Sequence, residues 1–75
     1  MPNPAYFERF ENLAMTRDEA GVLEVRMHSD GDELVFSGQA HHDFVDAFYE
    51  IGRDRANRVV ILTGTGRSFC SGAAL

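Results

Sequence analysis

Proline is confined to Pro2 and Pro4, cysteine to Cys70, and no apolar run approaches the length of a membrane span. A lone cysteine can form no internal disulfide and has no second thiolate with which to share a zinc ion, a usage that fits a reducing compartment. The first twelve residues carry Glu8, Arg9 and Glu11 and lack the apolar stretch of a signal peptide. The expectation is therefore a cytoplasmic protein with no membrane partner. Basic runs are missing too. Twelve acidic residues against seven basic ones leave a net charge of −5, which repels a phosphate backbone, so nucleic acid is not an expected partner. No internal repeat or low-complexity tract is present.

What remains is an ordinary globular composition, 44% apolar and 25% charged, in 75 residues. A chain of this size buries only about 60% of the surface that its unfolded form exposes, so a large enzyme cleft is hard to build from it alone. The polar residues 1–12 read as a loose lead-in, and residues 13–75 as the structured part. Leu13 and Met15 alternate with Ala14 and Thr16, which predicts a short strand. After turn chemistry at residues 18–21, Leu23, Val25 and Met27 alternate with Glu24, Arg26 and His28, a half-buried strand that completes an antiparallel hairpin.

Residues 29–33 read as a turn, and residues 34–36 as a brief apolar patch with room for a few residues of strand. Ser37 is placed to cap a helix. From Ala40 onward Phe44, Val45, Phe48 and Ile51 fall on one helical stripe, with Asp43, Asp46, Glu50 and Arg53 elsewhere. The spacing predicts an amphipathic helix that ends within residues 52–57, with Phe44 and Phe48 packed in the core. The unbroken run Val59, Val60, Ile61, Leu62 predicts a strand covered on both faces.

Residues 63–75 follow that strand and hold Gly64, Gly66 and Gly72. A dinucleotide fingerprint needs a third glycine where Phe69 stands, and a Walker A loop needs a Gly-Lys-Ser/Thr ending that is missing. The nucleophile elbow comes closer, but Gly66-Arg67-Ser68-Phe69 is followed by Cys70 where that turn wants glycine. On composition the glycines read simply as turn residues. Cys70 reads as a small buried residue beside Phe69, since nothing electropositive in the sequence would lower its pKa. His28, His41 and His42 lack the spacing of a metal site. Adjacent helical residues point about 100° apart, so His41 and His42 cannot both face one site.

The stretch from Asp54 to Leu75, with its Val-Val-Ile-Leu-Thr-Gly strand leading through Gly-Arg-Ser-Phe-Cys-Ser-Gly-Ala-Ala-Leu, resembles the signature of the crotonase superfamily, the enoyl-CoA hydratase/isomerase family. The hairpin and helix before it occur in the order in which that fold begins. The resemblance implies an α/β chain forming the N-terminal part of a crotonase-like ββα spiral, incomplete by itself. It also implies an enzyme that stabilises an enolate or oxyanion through backbone N–H groups, which supply several kcal/mol to a developing negative charge when preorganised away from water. By that match the first donor is the backbone N–H of Ala73, with Gly72 allowing close approach to a small-molecule substrate. The remaining catalytic groups of the family lie beyond Leu75, and the parent is expected to be a homotrimer or hexamer without a resident cofactor.

Two departures from the family pattern stand out. Ala74 occupies the place where most hydratases and isomerases carry Asp, and the usual Asn-Ala-Leu stretch before the first long helix is replaced by residues 34–43. Phe36, set four positions before the Ala40-His41 pair, with Asp43 following, resembles the β-diketone hydrolases of the 6-oxocamphor hydrolase type. On that resemblance His41 binds a substrate carbonyl, Phe36 lines an apolar pocket wall, and the substrate is a cyclic diketone; the solvated start of a helix is the other reading of His41. An acyl-CoA thioester, as substrate and not as bound cofactor, stays open beside it. So does a different class of function, a small non-catalytic binding or interaction module built from the same first structural unit.

Overall fold

The computed structural model describes residues 3–73, so the expectation attached to Ala74 lies outside the described residues. The elements run in the order of a 3-10 turn (Ala5–Glu8), β1 (Leu13–Arg17), β2 (Val22–Met27), β3 (Val35–Phe36), α1 (Gly38–Arg53), β4 (Val59–Thr63) and β5 (Gly72–Ala73). No helix among the described residues is long and apolar enough to cross a membrane.

β1 and β2 form the expected antiparallel hairpin, with Leu13 opposite Met27 and Met15 opposite Val25. All four side chains are buried, as is Leu23. The period of two thus puts the whole apolar set on one face, where each such side chain contributes about 1.5–3 kcal/mol. At the hairpin turn Gly21 has a φ of 88°, and a Cβ there would lie 2.7 Å from the Ala56 carbonyl oxygen. The close approach has a use: the Gly21 carbonyl accepts from the Arg58 N–H at 2.8 Å and starts the parallel pairing of β2 with β4.

The sheet order is β1-β2-β4, which leaves β4 at an edge. Val59, Val60 and Ile61 are 52%, 43% and 44% exposed, and only Leu62 packs against the core. The expected cover on both faces is therefore not supplied by the described residues. β2 holds one edge of β4, and nothing described lies along the other.

α1 begins where Ser37 predicts it, the Ser37 hydroxyl accepting from the Ala40 N–H at 3.2 Å. Its buried face differs from the predicted stripe. Ala40, Asp43, Ala47 and Ile51 are buried and Phe44 is half-buried, while Val45 and Phe48 are exposed. Small side chains let a helix lie close on its neighbours, and the alanine-lined side does so here, turning the bulkier ridge away.

The lead-in is not loose over its described part. Phe7 and Phe10 join the core, their rings withdrawn from water while Glu8, Arg9 and Glu11 stay exposed. Four polar groups lock it further. The Tyr6 hydroxyl donates to Asp54 Oδ2 at 2.7 Å, Arg17 donates to the same oxygen at 2.9 Å and to Asn57 Oδ1 at 2.7 Å, and Asn57 Nδ2 donates to the Tyr6 oxygen at 3.1 Å. The hydrogen bonds from Tyr6 and Arg17 hold the Asp54 carboxyl below its ordinary pKa. Burial, and then the Asp54 contact, push the Tyr6 hydroxyl above its own.

Candidate active site

The turn after β4 is built so that β5 can return beside β3. A Cβ on Gly64 would lie 2.5 Å from the Ser68 carbonyl oxygen and 2.7 Å from Phe69 Cα, so only glycine permits this fold-back. Side chains then pin the turn to the older part of the sheet. Arg26 donates to Thr65 Oγ1 at 2.7 Å, and that hydroxyl donates to the Met27 carbonyl at 2.8 Å. Ser68 donates to Glu33 Oε1 at 2.7 Å. The Ser71 N–H reaches the Leu34 carbonyl at 2.8 Å and opens a short parallel pairing.

That pairing brings the predicted site residues together. Val35 stands opposite Gly72 and Phe36 opposite Ala73. His41, in the first turns of α1, places its ring centroid 6.3 Å from that of Phe36. Phe36 in turn meets Phe44 edge-to-face at 5.6 Å, and Phe44 meets Phe48 in the same way at 6.0 Å. Such pairs prefer this tilt because ring edges are positive and ring faces negative. The result is an aromatic wall running along α1 from the Ala73 strand.

A methyl group at Gly72 would meet nothing within 4 Å, so the strand is open on that side. His41 and His42 are both exposed. Cys70 and Phe69, expected to be buried together, are both exposed, because the loop that carries them lies outside the core cluster. An open cleft of about 310 Å³ lies nearby, lined by Glu11, Asn12, Ser29, Asp30, Val35, Ser37 and Gln39. Since successive side chains of a strand point to opposite faces, Val35 puts this cleft behind the Phe36 wall.

One buried group escaped the sequence reading. Asp43, placed off the expected apolar stripe, is 6% exposed and accepts from the Asn12 backbone N–H at 2.9 Å. The signal was present in the spacing of Ala40, Asp43, Ala47 and Ile51, which puts an acidic residue on a stripe of otherwise small and apolar ones.

This strand, helix and glycine-turn arrangement is shared with known proteins. The profile of the enoyl-CoA hydratase/isomerase family matches residues 17–75. The chain belongs to the enoyl-CoA hydratase/isomerase family. Among its relatives, a probable peroxisomal enoyl-CoA hydratase of Arabidopsis thaliana is 38% identical over 66 residues, which are 87% of this chain and 25% of that protein. A β-diketone hydrolase from the cyanobacterium Anabaena sp., solved with (S)-3-oxocyclohexyl acetic acid, is 54% identical. It superposes with a TM-score of 0.94 over 99% of this chain and 30% of its own. An enzyme of a dehydratase/decarboxylase couple from polyketide β-branching is 27% identical, with a TM-score of 0.71 over 84% of this chain and 28% of its own. The chain thus spans under a third of the length of these relatives. Its likeness to the enoyl-CoA hydratase/isomerase family and to a β-diketone hydrolase, read first from residues 34–43 and 54–75, holds.

Proposed function

We propose that the protein carrying this chain is a carbon–carbon hydrolase acting on cyclic β-diketones, and that residues 36–41 and 72–73 form part of its active site. The observation that supports this reading best is the 54% identity to a β-diketone hydrolase across 99% of the chain. In the reaction, water adds to one carbonyl, and the bond to the carbon between the two ketones breaks. The electron pair leaves as the enolate of the second ketone, which takes up a proton. The product is a keto acid, the class of molecule that the Anabaena hydrolase holds.

Both charged species formed on the way are oxyanions. The backbone N–H of Ala73 is suited to hold one of them, since a fixed donor there needs no reorganisation as the charge develops. His41 is suited to donate to the other carbonyl, because an imidazole can give a proton near neutral pH. The aromatic wall from Phe36 to Phe48 offers an apolar surface suited to an alicyclic skeleton. Acyl-CoA hydration or isomerisation is the second reading, favoured by the 38% identity to a probable enoyl-CoA hydratase.

The deciding experiment offers the full-length protein a cyclic 1,3-diketone and, separately, a short 2-enoyl-CoA thioester. Loss of the diketone with formation of one keto acid is expected. Hydration of the thioester with an inert diketone would transfer the assignment to the second reading.

A further inference from the structure

We infer that Asp43 is a positioning residue, which holds the first turns of α1 on the Asn12 segment just before β1 so that His41 and Phe36 stay in register with Ala73. The inference rests on the reading of His41 as substrate-facing. Its geometry stands apart from that reading.

Two donors converge on the buried carboxylate. The Asn12 N–H reaches Oδ2 at 2.9 Å, and Gln39 Nε2 reaches Oδ1 at 2.8 Å. A carboxylate only accepts, so its two oxygens satisfy both donors at once, and bonds to an ionised acceptor are the stronger kind. None of the ion pairs among the described residues involves Asp43. Its charge is therefore matched by directed hydrogen bonds, which fix an orientation as a mobile cation would not.

Asn12 is committed to the same junction on every side but one. Its carbonyl accepts from the His28 N–H at 2.9 Å, and its Nδ2 donates to the His28 carbonyl at 2.9 Å. Asn12 Oδ1 is left buried without a partner. His28 continues the chain of contacts, its Nδ1 accepting from the Gly31 N–H at 2.9 Å in the turn that leads to β3. The path from Asp43 thus reaches Phe36 from both sides: through α1, whose first turns carry His41, and through Asn12, His28 and the turn before β3.

The test has two readouts. The first needs no activity: the His41 Cε1–H proton resonance reports the nearby Phe36 ring. Asp43→Ala is expected to move it toward the position of a solvated histidine. Asp43→Asn, with the Gln39 amide turned to present its oxygen, is expected to keep it, as is Tyr6→Phe in the separate Asp54 cluster. An unmoved resonance in Asp43→Ala would overturn the proposal. Where that variant does not fold, Gln39→Ala on the exposed side of the same carboxylate takes its place, with the same expected direction and the same overturning result.

The second readout is a double-mutant cycle on diketone turnover by the full-length protein. Asp43→Ala is expected to lower kcat roughly tenfold or more, in keeping with the cost of a misplaced binding group, with most of it restored in Asp43→Asn. On a His41→Ala background the same change is expected to add nothing, because the residue it positions is gone. Additive losses would reduce Asp43 to a stability role and sink the proposal. Full turnover in His41→Ala would instead refute the reading of His41, while the resonance still decides what Asp43 positions.

Discussion

Phe36 and Ala73 come from opposite halves of the chain and stand opposite each other in the parallel pair of β3 with β5. Everything proposed about the site depends on that adjacency. It sets an aromatic side chain next to a backbone N–H, with His41 6.3 Å further along the wall.

His41→Ala is expected to lower kcat/KM for a β-diketone by roughly 10²-fold, the usual range for a lost acid–base or donor group. Because His41 is exposed, its removal should change stability by about 0.5 kcal/mol or less. Steady-state kinetics and thermal melts on one preparation check both halves.

Gly64→Ala and Gly38→Ala should separate cleanly. The first drives a methyl group to 2.5 Å from the Ser68 carbonyl, whereas the second meets nothing within 4 Å at the start of a helix. Gly64→Ala is expected to cost about 1–3 kcal/mol, as overpacking does, and to displace β5. Gly38→Ala should be neutral or gain about 0.5–1 kcal/mol from the less flexible unfolded chain. Denaturant midpoints measure the difference.

Phe7→Ala should cost about 3–5 kcal/mol, the price of a large cavity at a residue that is 4% exposed. A loose lead-in would show almost none of that loss. Urea unfolding of the variant decides the point.

The Asp54 cluster makes a pH prediction. Its carboxyl titrates below the ordinary 3.8, so the folded state binds its proton less readily than the unfolded state does. The stability this gives is present above about pH 3.8 and is lost as the pH falls through the lower, folded value. Asp54→Asn should therefore be less stable than the parent at neutral pH, with the gap narrowing below pH 3.8. At the other end, the raised Tyr6 contributes stability that fades as the pH climbs past its ordinary value of 10.0. In Tyr6→Phe that alkaline decline should shrink. Chemical melts at pH 3, 7 and 10.5 test both signs.

The hairpin, the Ser37 cap and the extent of α1 were legible because each depends on neighbours within a few residues. Alternation at Leu23, Val25 and Met27 names the buried face, and a hydroxyl three residues before Ala40 suffices to start a helix. Helix orientation was only partly legible. Phe48 has the apolarity of a core residue and Asp43 has not, yet Asp43 is the buried one. The spacing of Ala40, Asp43, Ala47 and Ile51 marks that face, but the partner that satisfies the buried carboxylate, Asn12, is distant in the chain and is not named by the helical period.

The amino-acid order by itself determined the family, the hairpin, helix and following strand in their order, and the candidate site residues, since motifs and periodicities are local properties of the chain. Only the tertiary structure decided which faces are covered, that the lead-in is packed through Phe7 and Phe10, and that Phe36 lies beside Ala73. Those outcomes rest on contacts between distant segments, whose stabilisation must exceed the entropy of closing the chain between them.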